Sequence, residues 1–212
     1  GLIDFVAERS RVPTVQHFHG VCHCYVDSQA DLDKAIEIVM NGKTSMPAAC
    51  NALECLLVHR DIAADFVPAL AERCARAGVE IRGDERFNAH AGDASGIVPA
   101  GEDDFGTEFL DLVLAAKVVD SLGDAMQRVA RHASDHTETI VTEDEETAER
   151  FLREVTSSCV LVNASTRFND GFSLGLGAEI GISTSKIHAY GPMGLEELTT
   201  ERYVVRGSGQ TR

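Results

Sequence analysis

Two short stretches of the 212-residue chain hold the residue types best suited to chemistry. The first is HFHGVCHC, residues 17–24, which packs His17, His19, Cys22, His23 and Cys24 together. In extended backbone His17 and His19 point the same way, and Cys22 and Cys24 form a second same-side pair. A tetrahedral zinc site uses such ligands, but usually with about two to four residues between paired ligands. Here one residue intervenes in each pair, and no second paired set follows. The plainer reading is strand, glycine turn, strand, in which Cys22, Cys24 and Val26 alternate with His23 and Tyr25. No metal is expected.

The second stretch is PAACNALE, residues 47–54. Cys50 follows a helix and a turn and precedes the apolar run ECLLVH, which places it on a loop beside a sheet. Backbone amides at such a loop lower a thiol's pKa and can also stabilise an oxyanion. Among the six cysteines (Cys22, Cys24, Cys50, Cys55, Cys74, Cys159) it is the best placed nucleophile. The competing reading is a buried structural thiol, since free cysteine is among the most buried residue types. Cys55, Cys74 and Cys159 fall on apolar faces.

The elements that must hold these stretches show in the hydrophobic spacing. Leu32, Ala35, Ile36, Val39 and Met40 predict a helix over 31–41 capped by Ser28 or Asp31. Leu122, Ala125, Met126 and Val129 repeat the pattern behind Ser121, and Ala148, Phe151, Leu152 and Val155 repeat it behind Thr142. Glu143, Asp144, Glu145 and Glu146 load the last of these with first-turn carboxylates. A fourth helix fits Asp65 to Ala77, with Pro68 early and Gly78 as its stop. Apolar runs at 55–59, 79–82, 112–119, 138–142 and 159–163 alternate with these helices, which predicts crossover units and a mainly parallel α/β sheet. Residues 88–105 read as a long surface loop. The last forty residues are glycine-rich and aperiodic, with YVV at 203–205 as a strand that could pair with another chain, a candidate oligomerisation arm.

With 44% hydrophobic residues the chain can bury one sizeable core or two small lobes. A formal charge of −15 argues against nucleic acid or an anionic membrane as partner, so an anionic substrate needs a local cationic or amide-lined pocket. No apolar run approaches the length of a spanning helix and the opening GLIDFVAERS has no leader character, so reduced thiols and a cytoplasmic setting are expected.

Longer strings are more specific. VCHCYVDSQADLDKA, CNALECLLVHRDIA, TEFLDLVLAAKVVDSL, HTETIVTED, VNASTRFNDGFSLGLGAEIGISTSKIH and GPMGLEELTT, in that order, resemble the gamma-glutamyl phosphate reductase (glutamate-5-semialdehyde dehydrogenase) family of the aldehyde dehydrogenase superfamily. The resemblance implies an aldehyde dehydrogenase-like catalytic domain, with residues 1–26 ending a cofactor domain, 27–173 forming the catalytic domain and 174–212 the glycine-rich segment and arm. It implies NADPH-dependent reduction of L-glutamyl 5-phosphate to glutamate 5-semialdehyde in proline biosynthesis, with Cys50 as nucleophile and Asn51 as an oxyanion donor through its side chain or amide. Glu108 matches the superfamily glutamate at the nicotinamide ribose. Asn163, Ser165, Thr166 and Arg167 lie in the substrate-side loop, where Arg167 pairs either with a substrate anion or with Asp170. Glu179 belongs to a superfamily segment without an assigned catalytic role. A homo-oligomer is implied, with glutamate 5-kinase as a candidate partner.

HFHGVCHCYVD resembles the family segment KHLDGNCHVYVD, which makes most of its Cys and His content family pattern. The departures are Met46 where a basic residue is usual, Tyr190 for arginine and His19 for an acid, and they leave a relative with a different acyl donor as an alternative. A non-catalytic metal-binding or oligomerisation module is the other. The opening GLIDFVAERSRVP resembles the end of a cofactor domain, and no glycine-rich phosphate turn precedes a helix. The chain is therefore expected to be a C-terminal portion, inactive as a dehydrogenase alone.

Overall fold

The computed structural model describes residues 1–92 and 94–212. Seven strands form one parallel sheet: β1 (Cys22–Val26), β2 (Leu53–His59), β3 (Glu80–Gly83), β4 (Ile97–Pro99), β5 (Val113–Val119), β6 (Thr137–Val141) and β7 (Cys159–Val162), in the order β4-β3-β5-β2-β1-β6-β7. The helices are α1 (Leu2–Arg9), α2 (Leu32–Thr44), α3 (Ala63–Ala77), α4 (Glu85–Ala91), α5 (Leu122–His132) and α6 (Glu145–Glu154).

The central strands β1, β2 and β5 are mostly apolar on both sides because each face of the sheet is covered there, while β3 carries Glu80 and Arg82 and β6 carries Thr137, Glu138 and Thr139. Leu56, Val58 and Ala116 pack with Ile36, Val39, Phe66 and Leu70 from α2 and α3 in one core. Cys55, Leu57 and Ile140 pack with Ala125, Val129 and Phe151 from α5 and α6 in the other. The expected faces of α2 and α5, and one face of α3, turn to the core; in α6 Ala148 and Phe151 do so, while Leu152, expected on the same face, is exposed. Asp31 and Ser121 accept the capping N–H groups, from Lys34 and Asp124, and Gly78 ends α3 at φ 72°, a left-handed conformation that favours glycine.

The structure corrects several details. Asp144, and not Thr142, caps α6 by accepting from Thr147 N–H, while the Thr142 hydroxyl donates to Asp27. The stretch 88–105 is no open loop: it holds the end of α4, strand β4 and a 3-10 turn at 102–106 that buries Phe105. These elements are too short for periodicity to reveal; Asp93 lies outside the described residues. Of the expected strand, glycine turn, strand at the opening stretch, only the second strand forms. In the glycine-rich segment β8 (Gly181–Ser183) and β9 (Gly191–Met193) form a two-stranded antiparallel ribbon, and Tyr203 of YVV is fully exposed. β1 is bonded on both sides within the sheet, to β2 and β6.

Candidate active site

Because the strands are parallel, the segments that enter them gather at one edge. Gly20 and Cys22 enter β1, Cys50 and Asn51 precede β2, Glu108 precedes β5 and His136 precedes β6, and β5-β2-β1-β6 are consecutive neighbours. The cluster therefore stands at the amino edge of the sheet, opposite the edge where open parallel sheets commonly hold ligands.

Cys50 lies in the tight turn Ala49–Ala52, closed by Ala52 N–H donating to Ala49 O at 2.9 Å, and is half-buried. The amides of Cys50 and Asn51 donate to no backbone carbonyl among the described residues, which leaves two adjacent N–H groups for an incoming oxyanion. The turn is fixed from below. Gly20 presses on it so closely that a Cβ there would lie 2.2 Å from the Cys50 carbonyl oxygen and 3.1 Å from Glu108 Oε1. The Cys22 thiol donates to the same carbonyl at 3.4 Å and sits 3.7 Å from His136 Nδ1. Burial holds the Cys22 thiol well above its ordinary pKa, so it keeps the proton it donates. His136 in turn lies 2.5 Å from Thr137 Oγ1, which accepts from Asn169 Nδ2 at 2.7 Å.

Asn51 is buried, and its side-chain N–H groups donate to the carbonyls of Asn169 at 2.9 Å and Arg167 at 3.5 Å. The side chain is thus a brace for the turn and is spent as an oxyanion donor; the backbone amide remains. The Cys50 thiol also departs from the lowered value expected of an amide-lined loop. Burial pushes it up, the Glu179 and Glu108 carboxylates add to the rise, and its own amide and Arg167 pull it down by less.

The four residues of the substrate-side loop separate. Asn163, at φ 54°, lies past the carboxyl end of β7, where its amide accepts from Thr142 N–H at 3.0 Å and donates to Thr142 O at 2.8 Å. It is at the opposite edge of the sheet from Cys50, where its side chain clamps the end of β7 to the residue after β6. Ser165 is buried and accepts from Arg167 N–H at 3.3 Å. Thr166 is buried against Gly42. Neither presents its side chain to the thiol. Arg167 does act on it: the guanidinium, beside Met46 Sδ at 3.6 Å, pulls the Cys50 thiol down, and it makes no ion pair with Asp170 among the described residues. Asp170 instead accepts from the N–H groups of Phe172 and Ser173.

Sequence reasoning missed three contributors. Glu179, left without a role, is the carboxylate acting most strongly on Cys50, and its Oε2 accepts from Gly171 N–H at 3.0 Å. His136 and Asn169 are separated from Cys50 by more than eighty residues of chain, and no local pattern pairs them with it. Tyr190 donates to Thr156 O at 2.6 Å, with the Lys186 ammonium 5.1 Å above its ring, so a cation stands beside the position where the family's arginine is missing. In the opening stretch the His17 ring packs at a tilt of 51° against His136 with ring centroids 4.9 Å apart, and Cys22 and Cys24 are buried. No group of three or more His, Cys, Asp or Glu among the described residues could hold a metal ion.

The parallel sheet with helices on both faces is an aldehyde dehydrogenase-like catalytic fold. An acetylating aldehyde dehydrogenase from Geobacillus thermoglucosidasius superposes at a TM-score of 0.72 over 99% of this chain and 56% of its own, at 18% identity. The particular relatives are gamma-glutamyl phosphate reductases. The crystal structure of that enzyme from Thermotoga maritima superposes at a TM-score of 0.93 with 46% identity, covering 100% of this chain and 50% of its own. The enzyme of Xanthomonas axonopodis pv. citri (strain 306) is 54% identical over 212 residues, 100% of this chain and 50% of that protein. No family model matches the chain. The chain spans about half the length of the curated relatives it matches, and along all of its own length it is homologous to gamma-glutamyl phosphate reductase.

Proposed function

We propose that this chain supplies the thiol half of an NADPH-dependent gamma-glutamyl phosphate reductase, which reduces L-glutamyl 5-phosphate to glutamate 5-semialdehyde with release of phosphate. The observation that carries the proposal is the Cys50 turn itself: a half-buried thiol, two adjacent amides that donate to no backbone carbonyl among the described residues, Arg167 acting on the thiol and Glu108 close to its carbonyl. The thiolate attacks the acyl carbonyl, the Cys50 and Asn51 amides receive the developing oxyanion, and phosphate departs with the C–O bonding pair, leaving a thioester. The Arg167 guanidinium acts on the Cys50 thiol and favours both the thiolate and an anionic substrate.

When bound, NADPH supplies the hydride. Glu108 fits such a group, since its half-buried carboxylate beside Gly20 can accept from sugar hydroxyls. After reduction the thiohemiacetal on Cys50 collapses, the C–S bond breaking as the aldehyde carbonyl re-forms. Relatives twice as long support the reading that the rest of the cofactor site lies outside these residues. The exposed Leu174, Leu195 and Tyr203 support the expectation that the glycine-rich tail packs against another subunit.

The test is acylation. Incubated with acetyl phosphate as the probe, the chain should gain one acetyl group on the Cys50 peptide, reversed by hydroxylamine and absent in Cys50→Ser. Acylation that is absent, or that persists in the serine variant, refutes Cys50 as nucleophile.

A further inference from the structure

A second buried cluster borders the site without touching the thiol. Lys43, in the last turn of α2, donates to Glu54 Oε2 at 2.7 Å, and the two side chains are 1% and 0% exposed. These residues bracket the ten-residue segment 44–53 that carries the Cys50 turn, closing it with an ion pair. The same pair reaches the segment after Glu108: Lys43 Nζ donates to Asp111 O at 3.0 Å, and Glu54 Oε1 accepts from Leu110 N–H at 3.4 Å. Leu110 holds a left-handed conformation, φ 56°, unfavourable for a leucine unless its surroundings impose it. The register supplies an independent sign. Between β1 and β2, Cys22 pairs with Leu53 and His23 with Cys55, so Glu54 is the extra residue of a bulge. Bulges next to active sites re-aim side chains, and this one sends a carboxylate off the ladder to α2 and the 108–111 loop.

Stability is a poor explanation for this arrangement. Burial pushes the Glu54 carboxyl up to about 7 against the pull of Lys43, and it pulls the Lys43 amine down, so both groups bear a desolvation cost. Buried ion pairs commonly do no better than an apolar pair of similar volume. What an apolar pair cannot do is hold two specified backbone groups.

We propose that Lys43 and Glu54 are positioning residues that tie the Glu108 loop to the nucleophile turn and thereby set Glu108 against Cys50. This rests on Cys50 as nucleophile with Glu108 beside it; the readouts need neither acyl phosphate nor NADPH, so failure of the acylation test and failure here are distinguishable.

The experiment compares the chain with Glu54→Gln, with the apolar replacement Lys43→Met/Glu54→Leu, and with Glu108→Gln. Three quantities are measured: the unfolding temperature, amide exchange at Leu110, and the rate of Cys50 alkylation by iodoacetamide against pH, followed by peptide mass. The charged groups acting on Cys50 are Glu179, Glu108 and Arg167. Moving Glu108 away therefore shifts the alkylation profile to lower pH. The apolar pair is expected to unfold near the parent temperature, to lose roughly tenfold in Leu110 protection, and to shift the Cys50 profile in the same direction as Glu108→Gln. A folded apolar pair with the parent's Leu110 protection or the parent's Cys50 profile overturns the proposal. If that variant does not fold, the unmodified chain decides: Leu110 exchange slowed like the core strands upholds the tether, and exchange at the rate of an open loop overturns it.

Discussion

Replacing Gly20 with alanine adds one methyl group at the tightest approach to the nucleophile turn. The new Cβ would meet the Cys50 carbonyl oxygen at 2.2 Å and its carbon at 3.0 Å, with Glu108 Oε1 at 3.1 Å. The carboxylate is the end of a flexible side chain and can yield at little cost. The carbonyl cannot, because it belongs to a turn held by the Ala52–Ala49 bond, the Cys22 thiol and the braces from Asn51. Restoring ordinary van der Waals separation requires the turn or the β1 entry to move by roughly 1 Å. Overpacking of this kind costs about 1–3 kcal/mol, equivalent to about 2–4 °C in unfolding temperature per kcal/mol for a chain of this size. The chemical effect is larger: a misplacement of about 1 Å at a reacting group costs on the order of 100-fold. Acylation of Cys50 by acetyl phosphate, measured beside thermal unfolding, should therefore fall far more than stability does. Parent-like acylation in a folded Gly20→Ala chain would show that the turn does not rest on Gly20 and would refute the placement of the oxyanion amides derived from it.

Two further outcomes follow from the buried His136 and the half-buried Asn163. Burial, with His17 adding to it, holds the His136 imidazole down at about 3. The unfolded chain takes up that proton below about 6.5 while the folded chain does not, so stability falls as pH drops from about 6.5 towards 3. One such group is worth about 5 kcal/mol over that window. Urea midpoints against pH should flatten there in His136→Asn, and an unchanged slope would sink the assignment. Asn163→Ala removes two hydrogen bonds to Thr142 and places alanine in a left-handed conformation, costing about 2–4 kcal/mol. Cys50 acylation should keep the parent rate in the folded variant, and a selective loss of that rate would place Asn163 at the substrate site.

The main helices and the parallel sheet were legible because both sheet faces are covered. Ala35, Ile36, Val39 and Met40 must turn to one side, and LECLLVH must be apolar on both. Asp31, Ser121 and Gly78 mark helix ends through contacts with their own neighbours in the chain, which local sequence specifies. Short elements escaped: β4 and the β8–β9 ribbon because three residues of pattern carry no period, and α4 because its seven residues bury only Phe87 and Ala91. Cys50 itself was legible as a thiol on a turn before a strand.

What surrounds Cys50 was decided only in three dimensions. Strand order, which no local stretch encodes, places the entries to β5, β2, β1 and β6 side by side. It thereby sets Gly20, Glu108 and His136 around one turn and sends Asn163 to the opposite edge, although NASTRF reads as one loop. The thiol's acidity shows the same division. A loop rich in amides predicts a lowered value from nearest neighbours, whereas burial and the carboxylates of Glu179 and Glu108 raise it. Residue types and local spacing determine which groups are available; desolvation and charge act through space, so only the packed chain determines what those groups do.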